Sequence, residues 1–250
     1  MIAASSPYFS MIPFPEALEK VASKFRAWEI VAEGLHRLPD IERQFLELTP
    51  SYDLEFSVHA PMSDINIGSL SVKMREASMT ELRGSMEAGR RMGLDLFTVH
   101  PGFLTPLGFV AQQKVRETTR SSLEQLDKLS RELGVRIAFE NMPKAPTCLA
   151  STPQDLAWFI EGTDLGICWD IGHANTMGLV EEFLELQDRF INMHVHDNMG
   201  QWDEHLPVGS GTVDFPKVLK GLRNYRGRYV VESRGFEDGV LGKERLEALL

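Results

Sequence analysis

Short apolar runs alternate along the chain with longer stretches whose apolar positions recur at helical spacing. The runs Met1–Ser6, Trp28–Ala32, Glu55–His59, Leu96–His100, Val135–Glu140, Leu165–Asp170, Phe190–Val195 and Arg228–Glu232 are rich in β-branched and aromatic residues and read as strands. Between them, Phe14–Phe25 carries Leu18, Val21, Ala22 and Phe25 on one helical face, with Pro15 in its first turn. Ile41–Leu48 is entered through Pro39-Asp40, and Met79–Met92 stops at Gly93. A long amphipathic helix is predicted over Leu107–Leu133, with Val115, Leu123, Leu126, Leu129 and Leu133 inward and Gly134 as its terminator. Thr152-Pro153 has the form of a helix cap followed by a first-turn proline. Leu179–Arg189, Phe215–Tyr225 and Lys243–Leu250 complete the helical set.

Eight strands alternating with helices over 250 residues predict an α/β protein, a closed (β/α)8 barrel forming a single domain over residues 1–250. An open, doubly wound sheet would show the same alternation; the count of eight decides for the barrel. No low-complexity tract or composition shift marks a second domain.

Composition adds bounds. Hydrophobic residues make up 43% and charged residues 25%, as in an ordinary globular protein. A net charge of −10 gives no basic footprint for nucleic acid. Two cysteines, Cys148 and Cys168, make no disulfide framework and suit a reducing compartment. The start Met1-Ile2-Ala3-Ala4-Ser5 lacks a basic segment and a long apolar core, and no run approaches membrane-spanning length. A cytoplasmic protein without membrane partners is expected.

Against apolar strands, a polar residue at a strand's C-terminal end is informative, because active sites of closed barrels lie at that face. His59, His100, Glu140, Asp170, His194 and Glu232 hold such positions, and His173, Asp203 and His205 lie just beyond. The stretch Phe190–His205 alone contains three of the seven histidines. Taken singly, each has an ordinary reading: a hydrogen-bonded structural imidazole, a barrel-mouth carboxylate or a solvated loop. Taken together in one mouth, the buried carboxylates would repel each other unless cations neutralised them. Imidazoles among them favour Zn, Mn or Co, one to three ions, over Ca or Mg alone.

The same residues carry a resemblance. His59-Ala-Pro, Val99-His100-Pro-Gly, Phe139-Glu140-Asn, Trp169-Asp170-Ile-Gly-His173-Ala, Met193-His194-Val-His-Asp, Asp203-Glu-His205-Leu-Pro and Val231-Glu232-Ser occur in that order over nearly the whole chain. In this the chain resembles the xylose isomerase-like TIM barrel superfamily, which includes sugar phosphate isomerases/epimerases and endonuclease IV-type apurinic endonucleases. The resemblance implies a central metal held by Glu140, Asp170, His194 and Glu232. It implies a second site at His59 and His100 with Glu140 as bridge, and a third at His173, Asp203 and His205. His196 and Asp197 would stand behind these ligands, orienting them or touching substrate, or else form a surface turn.

Two chemistries follow. The preferred one is isomerisation or epimerisation of a small sugar or sugar phosphate through a metal-stabilised enediolate, with Glu140 and Glu232 as paired proton-transfer groups and His173 polarising a substrate oxygen. Arg234 is a candidate for a substrate phosphate. The alternative is an apurinic endonuclease, hydrolysing phosphodiesters in DNA at a trinuclear zinc site. The nine ligand positions favour it, whereas the acidic chain, Met62 in place of the aromatic that the endonucleases carry after the first histidine, and a shorter loop between His194 and Asp203 weigh against it. A structural, non-catalytic metal cluster is a third reading. Phe103, Leu104 and Phe109 are expected to pack into the core rather than cap the pocket or join subunits; the oligomeric state is left open.

Overall fold

A computed structural model of the chain describes residues 1–223 and 225–250. Eight parallel strands close into a barrel in sequence order: β1 (Ile2–Ser5), β2 (Ala27–Val31), β3 (Glu55–His59), β4 (Leu96–Val99), β5 (Arg136–Glu140), β6 (Gly166–Asp170), β7 (Phe190–Val195) and β8 (Tyr229–Glu232). Closure is carried by β1 against β8, with Ser5 level with Glu232. The doubly wound alternative is therefore excluded.

The surrounding helices are α1 (Phe14–Ala22), α2 (Leu38–Leu48), α3 (Val72–Arg91), α4 (Pro106–Val110), α5 (Gln112–Leu133), α6 (Pro153–Ile160), α7 (Ile171–Met177), α8 (Val180–Phe183), α9 (Phe215–Gly221) and α10 (Phe236–Glu247). Several bounds differ from the pattern-based ones for physical reasons. α3 begins well before Met79 because its first turns are solvent-facing, with Val72 and Met74 exposed, so they carry no apolar periodicity. The long segment after Leu107 is two helices, broken where Ala111 leaves helical geometry at φ −125°, ψ 43°. The Leu179–Arg189 segment is α8 followed by a 3-10 turn over Leu184–Arg189. α9 ends at Gly221, and position 224 of the expected 215–225 helix lies outside the described residues. α10 starts at Phe236, not Lys243, and α7, opening directly from β6, has no counterpart in the pattern. No helix among the described residues is long and apolar enough to cross a membrane.

Side chains two apart on a strand point to the same side, so each strand feeds the lumen at alternate positions. The outward positions, among them Trp28, Phe97, Phe139 and Trp169, are fully buried against the helices. The inward positions form tiers. Small apolar residues fill the floor, as Ala3, Ala27 and Val230 on one side and Leu96, Ala138 and Cys168 on the other. A polar tier follows, and the strand-end imidazoles and carboxylates crown it. Of the loop residues expected in the core, Leu104 is buried, but Phe103 and Phe109 are exposed.

His36, the one histidine away from the mouth, is packed edge-on against Phe14 and Trp28 and bonds through Nε2 to the Ile12 carbonyl at 3.0 Å. Burial lowers its pKa to about 4 from the usual 6.5. A base whose folded pKa is depressed stabilises the fold in its neutral form above the unfolded pKa, and that stability is lost as pH falls from 6.5 toward 4. Urea unfolding at pH 7 and pH 5 should therefore show a wild-type loss exceeding that of His36→Phe by about 2 kcal/mol. Equal pH dependence in the two proteins would contradict this assignment.

Candidate metal centre at the barrel mouth

The tiers explain why the candidate residues meet. His59 lies two positions above Ser57, Glu140 above Ala138, Asp170 above Cys168, His194 above Asn192 and Glu232 above Val230, so all five project into the lumen at one level. Asp170 and His194 are level neighbours across β6 and β7. Asp170 also caps α7, accepting the His173 N–H at 2.6 Å, which places His173 over the lumen in the first helical turn. Asp203 and His205 arrive from the loop after β7. His205 holds a left-handed backbone, φ 52°, unusual for a residue with a side chain. The antiparallel bridge between Asp197 and Leu206, with both N–H···O distances 2.8 Å, pins the neighbouring residue.

All nine sequence-predicted residues converge, and they sort into three adjoining groups whose candidate ligand atoms lie within 4.8 Å of one another. In the first, Nε2 of His59 and of His100 lie 3.5 and 3.0 Å from Glu140 Oε2 and 3.1 Å from each other. His59 Nδ1 faces the Ala60 carbonyl at 2.9 Å; donating there leaves Nε2 as a bare lone pair aimed inward. In the central group, His194 Nδ1 is 3.1 Å from Glu140 Oε1, 3.3 Å from Glu232 Oε1 and 3.8 Å from Asp170 Oδ2. In the third, Asp203 Oδ2 is 3.4 Å from His173 Nε2 and 3.0 Å from His205 Nε2, while His173 Nδ1 is held by the Asn141 carbonyl at 2.8 Å. Glu140 thus offers one oxygen to each of the first two groups. Glu232 reaches from the central group toward the third, with Oε2 3.7 Å from His205 Nδ1.

Electrostatics agree with this arrangement. Burial opposes ionisation of Glu140, yet His194 and His100 hold its carboxyl well below the usual range. Asp170 and Asp203 are likewise lowered, against burial, by their imidazole neighbours. Burial opposes a charge on His59, but Glu140 and Glu232 raise its pKa to about 9. Glu140 Oε2, Asp170 Oδ2 and Asp203 Oδ1 are buried without a directed hydrogen bond. Ionised oxygens and imidazoles packed this closely are what divalent cations satisfy, a cation taking the place of the imidazole protons, and the residues fit such ions.

Sequence reasoning missed Glu29. It sits inside β2, fully buried, with Oε1 2.8 Å from His194 Nε2 and Oε2 accepting from Asn192 at 2.7 Å and Ser57 at 3.1 Å. Burial resists its charge, and His194 and His59 lower its pKa nonetheless. A carboxylate on the far nitrogen fixes the imidazole's tautomer and orientation. The available signal was an acid within an otherwise apolar buried strand. Glu29→Gln should weaken metal binding by roughly 10–100-fold, measured by competition with a chromogenic chelator; unchanged affinity would make Glu29 a packing residue only.

The two undecided loop residues separate. Asp197 is buried and faces backbone, accepting from the N–H groups of Asn198, Gly211 and Val213, so it shapes the loop and touches no other candidate ligand. His196 lies close enough to join the third group, but its ring stacks on His205 at 4.0 Å and 9°. Two parallel imidazoles cannot both aim in-plane lone pairs at one ion, so His196 is better placed as the plate that fixes His205. It also approaches Asp170 Oδ1 at 3.2 Å. Cys168, beneath the central group, packs with Leu96 and Ala138, burial raises its thiol pKa, and its Sγ lies within 4.8 Å of candidate ligand atoms of Glu140 and His194. Arg234 reaches the Asp203 carbonyl at 2.9 Å, bracing the third group.

A closed (β/α)8 barrel with imidazoles and carboxylates gathered at its C-terminal mouth defines a class of proteins. Residues 18–248 match the family described as xylose isomerase-like TIM barrel, and the chain belongs to it. It is 36% identical to the uncharacterized protein MJ1311 of Methanocaldococcus jannaschii, over 96% of this chain and 87% of that one. A crystal structure of a D-tagatose 3-epimerase-like protein superposes with a TM-score of 0.93 at 34% identity, covering 100% of this chain and 97% of the other. Endonuclease IV from Thermus thermophilus shares the fold, with a TM-score of 0.72 at 20% identity over 99% and 98% of the two chains.

Proposed function

We propose that the chain is a metal-dependent phosphodiesterase working through a polynuclear centre, zinc being the ion its imidazole-rich donors suit best. The observation that carries this reading is the engagement of both Glu140 oxygens, Oε1 toward His194 and Oε2 toward His59 and His100, on a side chain 1% exposed. His59, His100 and Glu140 would hold one ion, Glu140, Asp170, His194 and Glu232 a second, and His173, Asp203 and His205 a third. Bound there, such cations lower the pKa of water toward neutrality and screen the charge of a phosphoryl group. The chain supplies the frame. His59, His194 and Asp170 form a buried floor, while His100, His205 and Asp203 keep side-chain exposures of 20%, 19% and 30% and so mark the rim a substrate would reach. Glu232 stands between the central and third groups, able to accept a proton at Oε2.

Isomerisation or epimerisation of a small sugar or sugar phosphate is the second reading, favoured by the likeness to the D-tagatose 3-epimerase-like protein. Glu140 and Glu232 would then have to work as a proton-transfer pair, which requires a free Glu140 oxygen facing substrate. The two readings differ in one experiment. Zinc-loaded protein should release p-nitrophenol from bis(p-nitrophenyl) phosphate, or incise an abasic oligonucleotide, without exchanging substrate carbon-bound hydrogen of ketoses in deuterated water. Exchange without phosphodiester cleavage would overturn the proposal in favour of the sugar enzyme. A structural metal cluster would do neither.

A further inference from the structure

Beside the third ligand group, the loop after β5 and the loop after β7 enclose a pocket of about 740 Å³ lined by Lys144, Pro146, Cys148, Met177, Gln201 and Trp202, among others. Its two walls are tied to the candidate ligands. Trp202 directly precedes Asp203, and the Lys144 N–H bonds Thr176 Oγ1 at 2.8 Å, which in turn donates to the His173 carbonyl at 2.7 Å.

Two features are unexplained by folding. Trp202 is 74% exposed, whereas Trp28 and Trp169 are fully buried and Trp158 packs under Arg116. A large exposed indole gains little from burial and is suited to stacking a planar ring. Lys144 is exposed and forms no ion pair among the described residues, whereas nearby Arg116 is held by Asp155. An indole and an ammonium without an ion-pair partner among the described residues, lining one pocket beside the third ligand group, match a ring joined to an anionic group. The rest of the surface argues for a small ligand. One lysine and a net charge of −10 do not make the multi-phosphate track that duplex binding needs.

We infer that this pocket is a nucleotide subsite, with a base stacked on Trp202 and a phosphate drawn to Lys144. Resting on the phosphodiesterase reading, this makes the substrate a phosphodiester of mononucleotide to short single-stranded size. Adenosine monophosphate should saturably quench the exposed tryptophan emission of the metal-loaded protein, whereas ribose 5-phosphate should not. Trp202→Ala should abolish the quench, and Lys144→Ala should weaken binding of the monophosphate, but not of adenosine, about tenfold. Absence of saturable quenching, equal quenching by ribose 5-phosphate, or persistence of the quench in Trp202→Ala would overturn the subsite. Quenching by a protein that cleaves no phosphodiester would support the pocket while removing the reaction. Cleavage of a dinucleotide with KM unchanged in both variants would remove the pocket while keeping the reaction.

Discussion

Glu140→Ala is expected to release two cations together and to lower phosphodiester turnover by on the order of 10³-fold or more. The reason is that one side chain serves two ligand groups, through Oε1 to the His194 group and Oε2 to the His59–His100 pair. Cations contribute several kcal/mol to stabilising charge in a phosphoryl transition state, and about 4 kcal/mol corresponds to roughly 10³ in rate. Glu140→Gln keeps the volume and one acceptor oxygen but not the charge, so it should fall in the same direction. Elemental analysis separates the cause from misfolding: the third group, built from His173, Asp203 and His205, should keep its ion in a protein with unchanged circular dichroism. Full metal content with lost activity would show Glu140 acting on substrate rather than holding cations.

The second large effect is expected from a position with no side chain. A Cβ on Gly172 would lie 2.0 Å from Cε1 and 2.3 Å from Nδ1 of His196. The His196 ring is buried and stacked on His205, so it has no free path of retreat. Gly172→Ala should therefore displace both rings and deplete the third group while sparing the first two. The expected outcome is loss of one ion in three and roughly 10²-fold lower turnover, the scale of losing one preorganised electrostatic contact. Gly178→Ala serves as the comparison, since a Cβ there meets nothing within 4 Å, although its positive φ adds local strain. Three retained ions in Gly172→Ala would show that His205 is fixed by other contacts.

How much of this was legible beforehand follows from where each residue sits. Strand-end residues such as His59, Glu140 and Asp170 stood out because their runs are otherwise apolar, and the alternation of side chains then dictates that they face the lumen. His173 was legible as a neighbour of Asp170, but not its placement on a helix, because α7 is too short to show a period. Glu29 escaped notice since it lies mid-strand, where an isolated acid has no motif around it; only closure of the barrel puts it beneath His194. His196 and Asp197 are adjacent and equally polar, yet one stacks on a candidate ligand and the other bonds backbone, a distinction set by the β7 loop's path. The helix start at Val72 was hidden for the opposite reason, its opening turns facing solvent, whereas the start at Phe236 was hidden because glycines, Gly239 and Gly242, hold buried positions of that helix and leave no apolar period.

The central claim is that one mouth holds three adjoining cation sites, the first two joined through Glu140 and the third reached from the central one by Glu232. Anomalous diffraction at the zinc edge from crystals of zinc-loaded protein tests it most directly. Three peaks are predicted: one among His59, His100 and Glu140, one among Glu140, Asp170, His194 and Glu232, and one among His173, Asp203 and His205. A single peak at the central group, with the His59–His100 pair left as a hydrogen-bonded couple, would contradict it.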